Sequence, residues 1–374
     1  MKIEVLTSKL KEAVLCCERI VKKTTSLPVL KNILLQTTGN FLELTTTNLE
    51  TTLRYWILAK VEKQGKVIVP ANFLANLVSL LRGEKITLEE KGKNLLLKSE
   101  NQISQIHGQD PEEFPIIPKV SKEVVFTLNS KKLADGLSQV VEIPTASQVR
   151  PEISGLYFLF KKKKLVIVGT DSFRLGEKTI ELDEEVKKES SFILPQEAGK
   201  ELLNILTQKE GKVTCYPSPN QVLFEFLMEE TSHPQINILS RLIEGEYPNY
   251  QEIIPKKFTT RFQIDKENFQ NQIKEAGLFS GKILEVKITP LVKEGKLKIF
   301  SQSPETGINE SYLYAKIEGE QFEVAFNYRF LLEGLNNIKS SEVIFELSGE
   351  EGPGVLRPVG DQSYLYILMP IKAS

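Results

Sequence analysis

The stretch that decides the fold is IEVLTSKL at residues 3–10, in which alternating apolar residues give way to polar residues and then to a helix pattern. The same order recurs as FTLNSKKL at residues 126–133 and as FQIDKENF at residues 262–269. Alternation with period two indicates a strand, whereas apolar spacings of three and four indicate a helix. Each copy therefore predicts a strand that leads through a polar N-cap into an amphipathic helix.

Two further landmarks recur at nearly the same spacing. A strand before a second helix pattern reads VIVP at 67–70, FILP at 192–195 and VAFN at 324–327. A strand that ends in a polar turn reads LELTTTN at 42–48, LVIVGTD at 165–171 and LKIFSQS at 297–303. All offsets lie between 123 and 136 residues, whereas solenoid repeats have periods of roughly 20 to 50. The period therefore predicts three whole domains of one fold, each with two strand-then-helix units.

The domains are expected at residues 1–120, 121–254 and 255–374, because prolines cluster near the two boundaries. Within the first helix pattern, Leu10, Val14, Cys17 and Val21 fall on one stripe. Short apolar and alternating runs supply many strands between the helices. We predict an α+β fold in which each domain has two helices backed by antiparallel sheets.

Composition and charge exclude several classes of protein. Apolar residues make up 41% of the 374 residues and charged residues 26%, which excludes a disordered chain and a fibrous repeat. Because 48 Lys and Arg stand against 49 Asp and Glu, the chain is not a basic protein that coats nucleic acid. No apolar run reaches about 18 residues, and Cys16, Cys17 and Cys215 have no metal or redox spacing. We expect a cytoplasmic protein with reduced thiols and no membrane partner.

Motifs of catalysis are missing from the sequence. The two histidines, His107 and His233, lie in different repeats, and no GxxxxGK[ST], GxGxxG or HExxH motif is present. We therefore expect no catalytic residue, no metal and no cofactor. The six predicted helices, at residues 8–23, 71–82, 130–143, 196–209, 265–277 and 328–339, carry a net charge of +4, and the remaining residues carry −5. This small bias suits helices that face phosphates.

Five segments of the chain resemble the bacterial DNA polymerase III β subunit, the family of replicative sliding clamps. They read LPVLKNILLQ and LTTTNLE at 27–36 and 44–50, GTDSFRL at 169–175, SRLIEGEYPNY at 240–250 and YILMPIK at 366–372. The resemblance spans essentially the whole chain and implies a head-to-tail homodimer that forms a ring of six domains. Twelve helices at ~9 Å spacing would leave an opening of about 24 Å, wide enough for duplex DNA.

The resemblance implies a processivity factor and not an enzyme. A ring would hold double-stranded DNA by topology, without reading its sequence, and would tether other proteins through a hydrophobic peptide-binding pocket. The implied partners are a second copy of the chain, the α subunit of the DNA polymerase III holoenzyme with its associated 3′–5′ exonuclease, the clamp loader, and repair polymerases, ligase and mismatch-repair proteins that carry a clamp-binding motif.

The resemblance also implies residues for three surfaces. The walls of the peptide-binding pocket would be Ile153, Thr170, Leu175, Pro248, Ile253, Ile367, Met369, Pro370 and Ile371, and its rim Phe173, Arg174, Asn327 and Phe330. Candidate DNA contacts are Lys22, Lys23, Arg82, Gln148, Arg150 and Lys200. Candidate dimer contacts are Ile103 and Ile106 in the first domain and Leu278 and Phe279 in the third.

One departure from the family and two other interpretations remain. Ser172 and Phe173 stand where many relatives have Gly-His, so a bulkier pocket rim is expected. The chain could instead be a monomeric peptide-binding adaptor of the same fold. It could also be a nucleic-acid-processing enzyme in which Asp171 and Arg174 form an acid/base pair. Ser303, which replaces Asp171 in the third repeat, argues against the enzyme.

Overall fold

Each copy of the repeat contains two strand-then-helix units, as the sequence predicts. The structure is a computed structural model that describes residues 1–21, 27–229 and 231–372. Its α-helices are α1 (Thr7–Val21), α2 (Ala71–Leu80), α3 (Ser130–Ser138), α4 (Gln196–Leu206), α5 (Lys266–Gly277) and α6 (Tyr328–Asn337). A strand ends immediately before each of these helices.

The strands alternate with short turns throughout the described residues. Those of the first third of the chain are β1 (Lys2–Leu6), β2 (Asn32–Thr38), β3 (Phe41–Thr47), β4 (Thr51–Leu58), β5 (Lys60–Lys63), β6 (Lys66–Pro70), β7 (Lys85–Lys91), β8 (Asn94–Ser99) and β9 (Gln102–Ile106). The middle third has β10 (Phe126–Asn129), β11 (Gly155–Lys161), β12 (Lys164–Thr170), β13 (Arg174–Glu181), β14 (Ser190–Pro195), β15 (Lys212–Ser218), β16 (Gln221–Leu227) and β17 (Pro234–Arg241). The last third has β18 (Thr260–Asp265), β19 (Glu285–Leu291), β20 (Lys296–Ser303), β21 (Gly307–Tyr314), β22 (Lys316–Gly319), β23 (Val324–Asn327), β24 (Glu342–Leu347), β25 (Gly354–Pro358) and β26 (Tyr364–Leu368).

The chain divides into two compact units. The first comprises Met1–Lys132 and Glu197–Leu242, and the second comprises Leu133–Gln196 and Ile243–Ser374. The first unit contains the sheets β5-β1-β7-β8-β9 and β10-β15-β16-β17-β4-β3-β2-β6. The second contains the sheets β14-β11-β12-β13-β26-β25-β24-β18-β22 and β21-β20-β19-β23. The predicted domain bounds of 1–120, 121–254 and 255–374 stay a prediction.

Each unit contains one junction at which strands of neighbouring repeats pair. In the first unit β4 pairs with β17, with Thr52 opposite Leu239. In the second unit β13 pairs with β26, with Leu175 opposite Ile367. Both pairings are antiparallel, so each junction extends one repeat's sheet directly into that of the next. We call these the first and the second junction.

The predicted apolar stripe of the first helix is confirmed. Leu10, Val14, Cys17 and Val21 are all buried, and α1 packs on strands β3 and β4. The three cysteines are buried and unpaired, and burial raises the pKa of the Cys16 thiol to about 11. Among the described residues, no helix is long and apolar enough to cross a membrane.

The helix bounds differ most from the prediction at α3. A helix over residues 130–143 is predicted, but α3 ends at Ser138. The chain then continues in turns, in which the Gln139 and Val140 amides donate to carbonyls three residues earlier. Pro144 explains why the helix does not reach Ile143, because the residue before a proline is disfavoured in the helical conformation.

We expect Gly334→Ala in α6 to destabilise the protein. A Cβ atom at Gly334 would lie 2.5 Å from Tyr366 Cε1 and 3.1 Å from Leu356 Cδ1, both in a packed core. Overpacking should lower the free energy of unfolding by about 1–3 kcal/mol, which outweighs the ~1 kcal/mol of stability that alanine adds through its higher helix propensity. Thermal unfolding followed by circular dichroism measures the effect. Asn336→Ala, at an exposed position of the same helix, is the control, and an equal or higher Tm for Gly334→Ala would contradict the packing.

Candidate functional site

A tight turn between β12 and β13 lies at the second junction. Asp171 Oδ1 accepts hydrogen bonds from the amides of Phe173 and Arg174, both at 3.0 Å. Thr170 Oγ1 donates to the Arg174 carbonyl at 2.7 Å and accepts from the Ser172 amide at 3.2 Å. Ser172 has φ of 77°, a conformation that favours glycine. The hydrogen bonds of the Asp171 and Thr170 side chains therefore stabilise a turn conformation that a glycine would adopt more readily than Ser172.

Arg174 is buried beside this turn and its charge is compensated inside the protein. Its Nε donates to Asp171 Oδ2 at 3.0 Å, and its Nη1 contacts the Glu333 carboxylate on α6. The guanidinium carbon also lies 4.4 Å from the centre of the Phe330 ring. Because the side chains of Asp171 and Arg174 are each only 6% exposed and are bonded to each other, the pair holds the turn against α6 and offers no exposed acid or base.

The floor of the candidate pocket is an apolar cluster at the second junction. Leu175 and Ile367 are buried opposite each other, and Tyr247 and Tyr250 pack against them. Burial raises the pKa of the Tyr250 hydroxyl, and its hydrogen bond to the Glu177 carboxylate raises it further. The tyrosine therefore stays a neutral donor that fixes the segment after Tyr247 over the sheet.

Apolar side chains remain exposed above this floor. Phe173 is 63% exposed, Ile253 47% and Met369 39%. The Met369 amide donates to the Phe173 carbonyl at 2.9 Å, so two of these side chains belong to directly bonded backbone segments. Partly buried around them are Thr170, Pro248, Asn327, Phe330, Pro370 and Ile371. Ile153, Leu175 and Ile367 are buried and belong to the interior beneath the surface.

The rim next to α6 is fixed by a helix cap. Asn327 precedes the helix, and its Oδ1 accepts a hydrogen bond from the Arg329 amide at 3.0 Å. The Tyr366 hydroxyl donates to the Phe330 carbonyl at 3.0 Å. Sequence reasoning missed Glu333 and Tyr366, because nothing in their local pattern indicates that they hold Arg174 and Phe330.

The candidate DNA contacts divide into described and undescribed residues. Lys22 and Lys23 lie outside the described residues. Arg82, Gln148 and Arg150 are exposed, whereas Lys200 on α4 is partly buried and lies 4.0 Å from the Glu197 carboxylate.

Several cations of α1 are already bound within the first unit. Lys11 Nζ donates to the Leu81 carbonyl at 2.8 Å, and Arg19 Nε donates to Glu201 at 3.1 Å. The positive charge of this helix is thus partly compensated by the chain itself.

The candidate dimer contacts lie in two different units. Ile103 is 70% exposed on β9, the edge strand of its sheet, but Ile106 on the same strand is only 3% exposed. Leu278 is 74% exposed just after α5, and Phe279 is partly buried. Strand β21, in the second unit, is also an edge strand and exposes Ile308, Tyr312 and Tyr314.

The described residues offer no cluster of three or more His, Cys, Asp or Glu that could hold a metal ion. His107 is exposed, and His233 stacks on Phe41 with ring centres 3.9 Å apart. Lys162 and Lys163 form the turn between β11 and β12.

We expect Asp171→Asn to lower the stability of the second unit. An amide can still accept the two backbone hydrogen bonds, but it removes the charge that faces buried Arg174, at a cost of about 1.5–3 kcal/mol. Asn48 is the matched control, because its Oδ1 accepts from the Glu50 and Thr51 amides in an equivalent turn that lacks an arginine. In urea unfolding, the free energy of unfolding should fall clearly for Asp171→Asn and change little for Asn48→Asp. Equal losses would contradict the role of the charge pair.

Comparisons with known proteins agree over the whole chain. Three models of one family match in order: the N-terminal domain of the DNA polymerase III beta subunit at residues 1–118, the central domain at 127–249 and the C-terminal domain at 251–372.

Individual relatives also align over nearly their whole length. The beta sliding clamp of Staphylococcus aureus is 26% identical over 365 residues, which cover 95% of this chain and 94% of that protein. The fold matches the crystal structure of the DNA polymerase sliding clamp from Bacillus subtilis with a TM-score of 0.93, at 22% identity over all of both chains. It matches the DNA polymerase III beta subunit from Thermotoga maritima with a TM-score of 0.91, at 23% identity, again over all of both chains. The chain, with its three clamp domains of helices backed by antiparallel sheets, therefore belongs to the family of bacterial DNA polymerase III beta subunits, the beta sliding clamps.

Proposed function

We propose that this protein is a sliding clamp, a non-catalytic processivity factor that encircles duplex DNA and tethers a replicative DNA polymerase. The observation that carries this function is the match of three consecutive domains of one family along the whole chain. DNA, a polymerase and a second copy of the chain are the partners that membership of this family implies. A cytoplasmic location follows from the proposal, since bacterial DNA is replicated there.

Retention of DNA by topology agrees with the charge of the chain. A protein that gripped many phosphates would bind tightly and lose affinity steeply with salt, whereas a clamp must slide. The net charge is −1, and Arg19 and Lys11 of α1 are engaged inside the first unit. We propose that Lys22, Lys23, Arg82, Gln148, Arg150 and Lys200 make loose, sequence-independent phosphate contacts.

We further propose that two copies associate head to tail through edge strands. An unpaired strand edge offers free backbone groups to another chain. Strand β9 carries exposed Ile103, and β21 and the end of α5 expose Tyr312 and Leu278. Buried Ile106 would support the edge from beneath, and Phe279 would be covered further on association.

The exposed apolar surface at the second junction is proposed to bind short linear motifs of partner proteins. Phe173, Ile253 and Met369 offer apolar area above a packed floor, which suits leucine or phenylalanine anchors of a peptide. Methionine adapts its shape to different ligands, which suits a surface with several partners. We propose that these partners include the DNA polymerase III α subunit, the clamp loader, repair polymerases, ligase and mismatch-repair proteins.

Met369→Ala should weaken binding of a peptide that carries the clamp-binding segment of the cognate polymerase. The side chain is exposed, so the change removes contact area without opening the core, and a loss of at least ~1 kcal/mol is expected. Fluorescence anisotropy measures the affinity, with Leu58→Ala, an exposed leucine on β4, as the control. If neither Met369→Ala nor Phe173→Ala changes the affinity, the peptide does not bind at this surface.

Leu278→Asp and Ile103→Asp should each break the dimer. Both side chains are exposed in the single chain, so the new carboxylate harms the fold little, but it would be unpaired in an apolar interface. Equilibrium sedimentation at low micromolar protein should show monomers for both variants. Ile116→Asp, at a residue that is 96% exposed, supplies the control and should stay dimeric. Dimers in all three variants would refute the assigned interface.

A further inference from the structure

We propose that the first junction carries a second docking groove, which takes a short extended peptide with a carboxylate beside an aliphatic side chain. This groove lies in the first unit and is distinct from the candidate peptide surface at the second junction. The proposal does not depend on that surface binding peptides. It follows from a cavity, its charge and two buried polar atoms.

The cavity has a volume of about 270 Å³ and lies on one face of the sheet at β4 and β17. Its lining residues are Thr52, Arg54, Ile117, Pro118, Lys119, Val120, Lys122, Leu223, Asn237 and Leu239. Tyr55, which alternates with these positions on β4, points to the opposite face and donates to Glu12 on α1. The groove is therefore on the face away from that helix.

The two junctions are built alike. Leu49 has φ of 74° where Ser172 has 77°, and the Leu49 amide donates to Thr47 Oγ1 at 3.0 Å as Ser172 does to Thr170. The Arg241 amide donates to the Glu50 carbonyl at 2.8 Å, which repeats the bond from Met369 to Phe173. By this equivalence, Thr52 and Leu239 stand where the second junction has Leu175 and Ile367.

The equivalent spaces are filled differently. At the second junction, the rings of Tyr247 and Tyr250 pack in one buried cluster with Leu175 and Ile367. At the first junction the covering segment is 117–122, which is tied to β16 by the bond from Gln221 Nε2 to the Lys119 carbonyl at 3.3 Å. This segment supplies no aromatic ring, and the shorter Thr52 replaces leucine, so a cavity remains.

Charge in the groove favours an anion. Its lining has three cations, Arg54, Lys119 and Lys122, and no carboxylate. Lys122 is bound to Glu225 at 2.8 Å, and Arg54 Nε lies 3.7 Å from the Glu43 carboxylate, within the range of an ion pair but too far for a hydrogen bond. Lys119 has an exposed side chain and forms no ion pair with any described residue.

Two residues that line the groove each carry a buried polar atom without a hydrogen-bond partner among the described residues. Arg54 Nε and Asn237 Oδ1 are buried without a hydrogen-bond partner, and their residues lie directly opposite each other on β4 and β17. Buried polar groups are normally satisfied, so each atom needs a partner. Both atoms are covered by the chain itself, so an occupant would reach them only if the lining side chains shift. An acceptor such as a carboxylate would then suit Arg54 Nε, and a donor such as a backbone amide would suit Asn237 Oδ1.

A peptide supplies both groups together with an apolar side chain. Leu223, Leu239, Ile117 and Val120 offer apolar lining that a phosphate or a nucleic-acid backbone would leave uncovered. An acidic residue next to leucine or isoleucine matches the cations and the apolar lining at once. The groove therefore fits an acidic, aliphatic segment of a partner protein.

The test is a methyl NMR titration of the full-length protein, labelled at Leu, Ile, Val and Met methyl groups. The probe is acetyl-Ser-Leu-Glu-Leu-Ser-amide, and its Gln analogue is the matched control peptide. We expect the Leu223 and Leu239 signals to shift and saturate with the Glu peptide, and the Gln peptide to bind at least tenfold more weakly. Lys119→Glu should lower the affinity for the Glu peptide at least fivefold. Lys60→Glu, on β5 in another sheet, should leave that affinity unchanged.

Three outcomes would overturn the proposal. Equal shifts with the Glu and Gln peptides would mean that the groove does not select a carboxylate. Shifts of the Met369 signal without those of Leu223 and Leu239 would place all peptide binding at the second junction. Stronger shifts of the same leucine signals with inorganic phosphate or a short single-stranded oligonucleotide would make the groove an anion or nucleic-acid site.

Discussion

Antiparallel pairing between strands of neighbouring repeats is the interaction on which the rest of this structure depends. A slip of one residue would exchange the two faces of a strand, so the register must be firmly set. At both junctions it is set next to a turn held by polar side chains, with Asn48 in one and Asp171 in the other. The paired strands then fix what each face carries: helices on one side and a covering segment on the other.

The two junctions have the same backbone and different chemistry. Leu175 and Ile367 make the second junction an apolar floor under exposed Phe173 and Met369. Thr52 and Arg54 make the first junction polar and leave it open. A repeated fold thus provides two surfaces of different composition on one chain.

The sequence predicts the repeat, the order of strands and helices and the buried stripe of α1, because these depend on local periodicity. The turn at Asp171 is also visible in the sequence as a strand that ends in polar residues. Contacts between distant residues are not visible. The burial of Ile106, the contact of Glu333 with Arg174 and the binding of Arg19 by Glu201 depend on segments far apart in the chain. Pro144 is a local signal that keeps α3 from reaching Ile143, and the apolar spacing of the helix alone does not show it.

Topological retention on DNA is the central claim, and it can be measured directly. The protein is loaded onto a nicked circular plasmid by its cognate clamp loader, and the bound fraction is followed before and after the plasmid is cut once, at constant salt. A closed ring can slide off a free end, so the account predicts that the protein is lost on linearisation and stays on the uncut circle. Equal retention on circular and linear DNA would contradict it, because the protein would then be held by charge and not by encirclement.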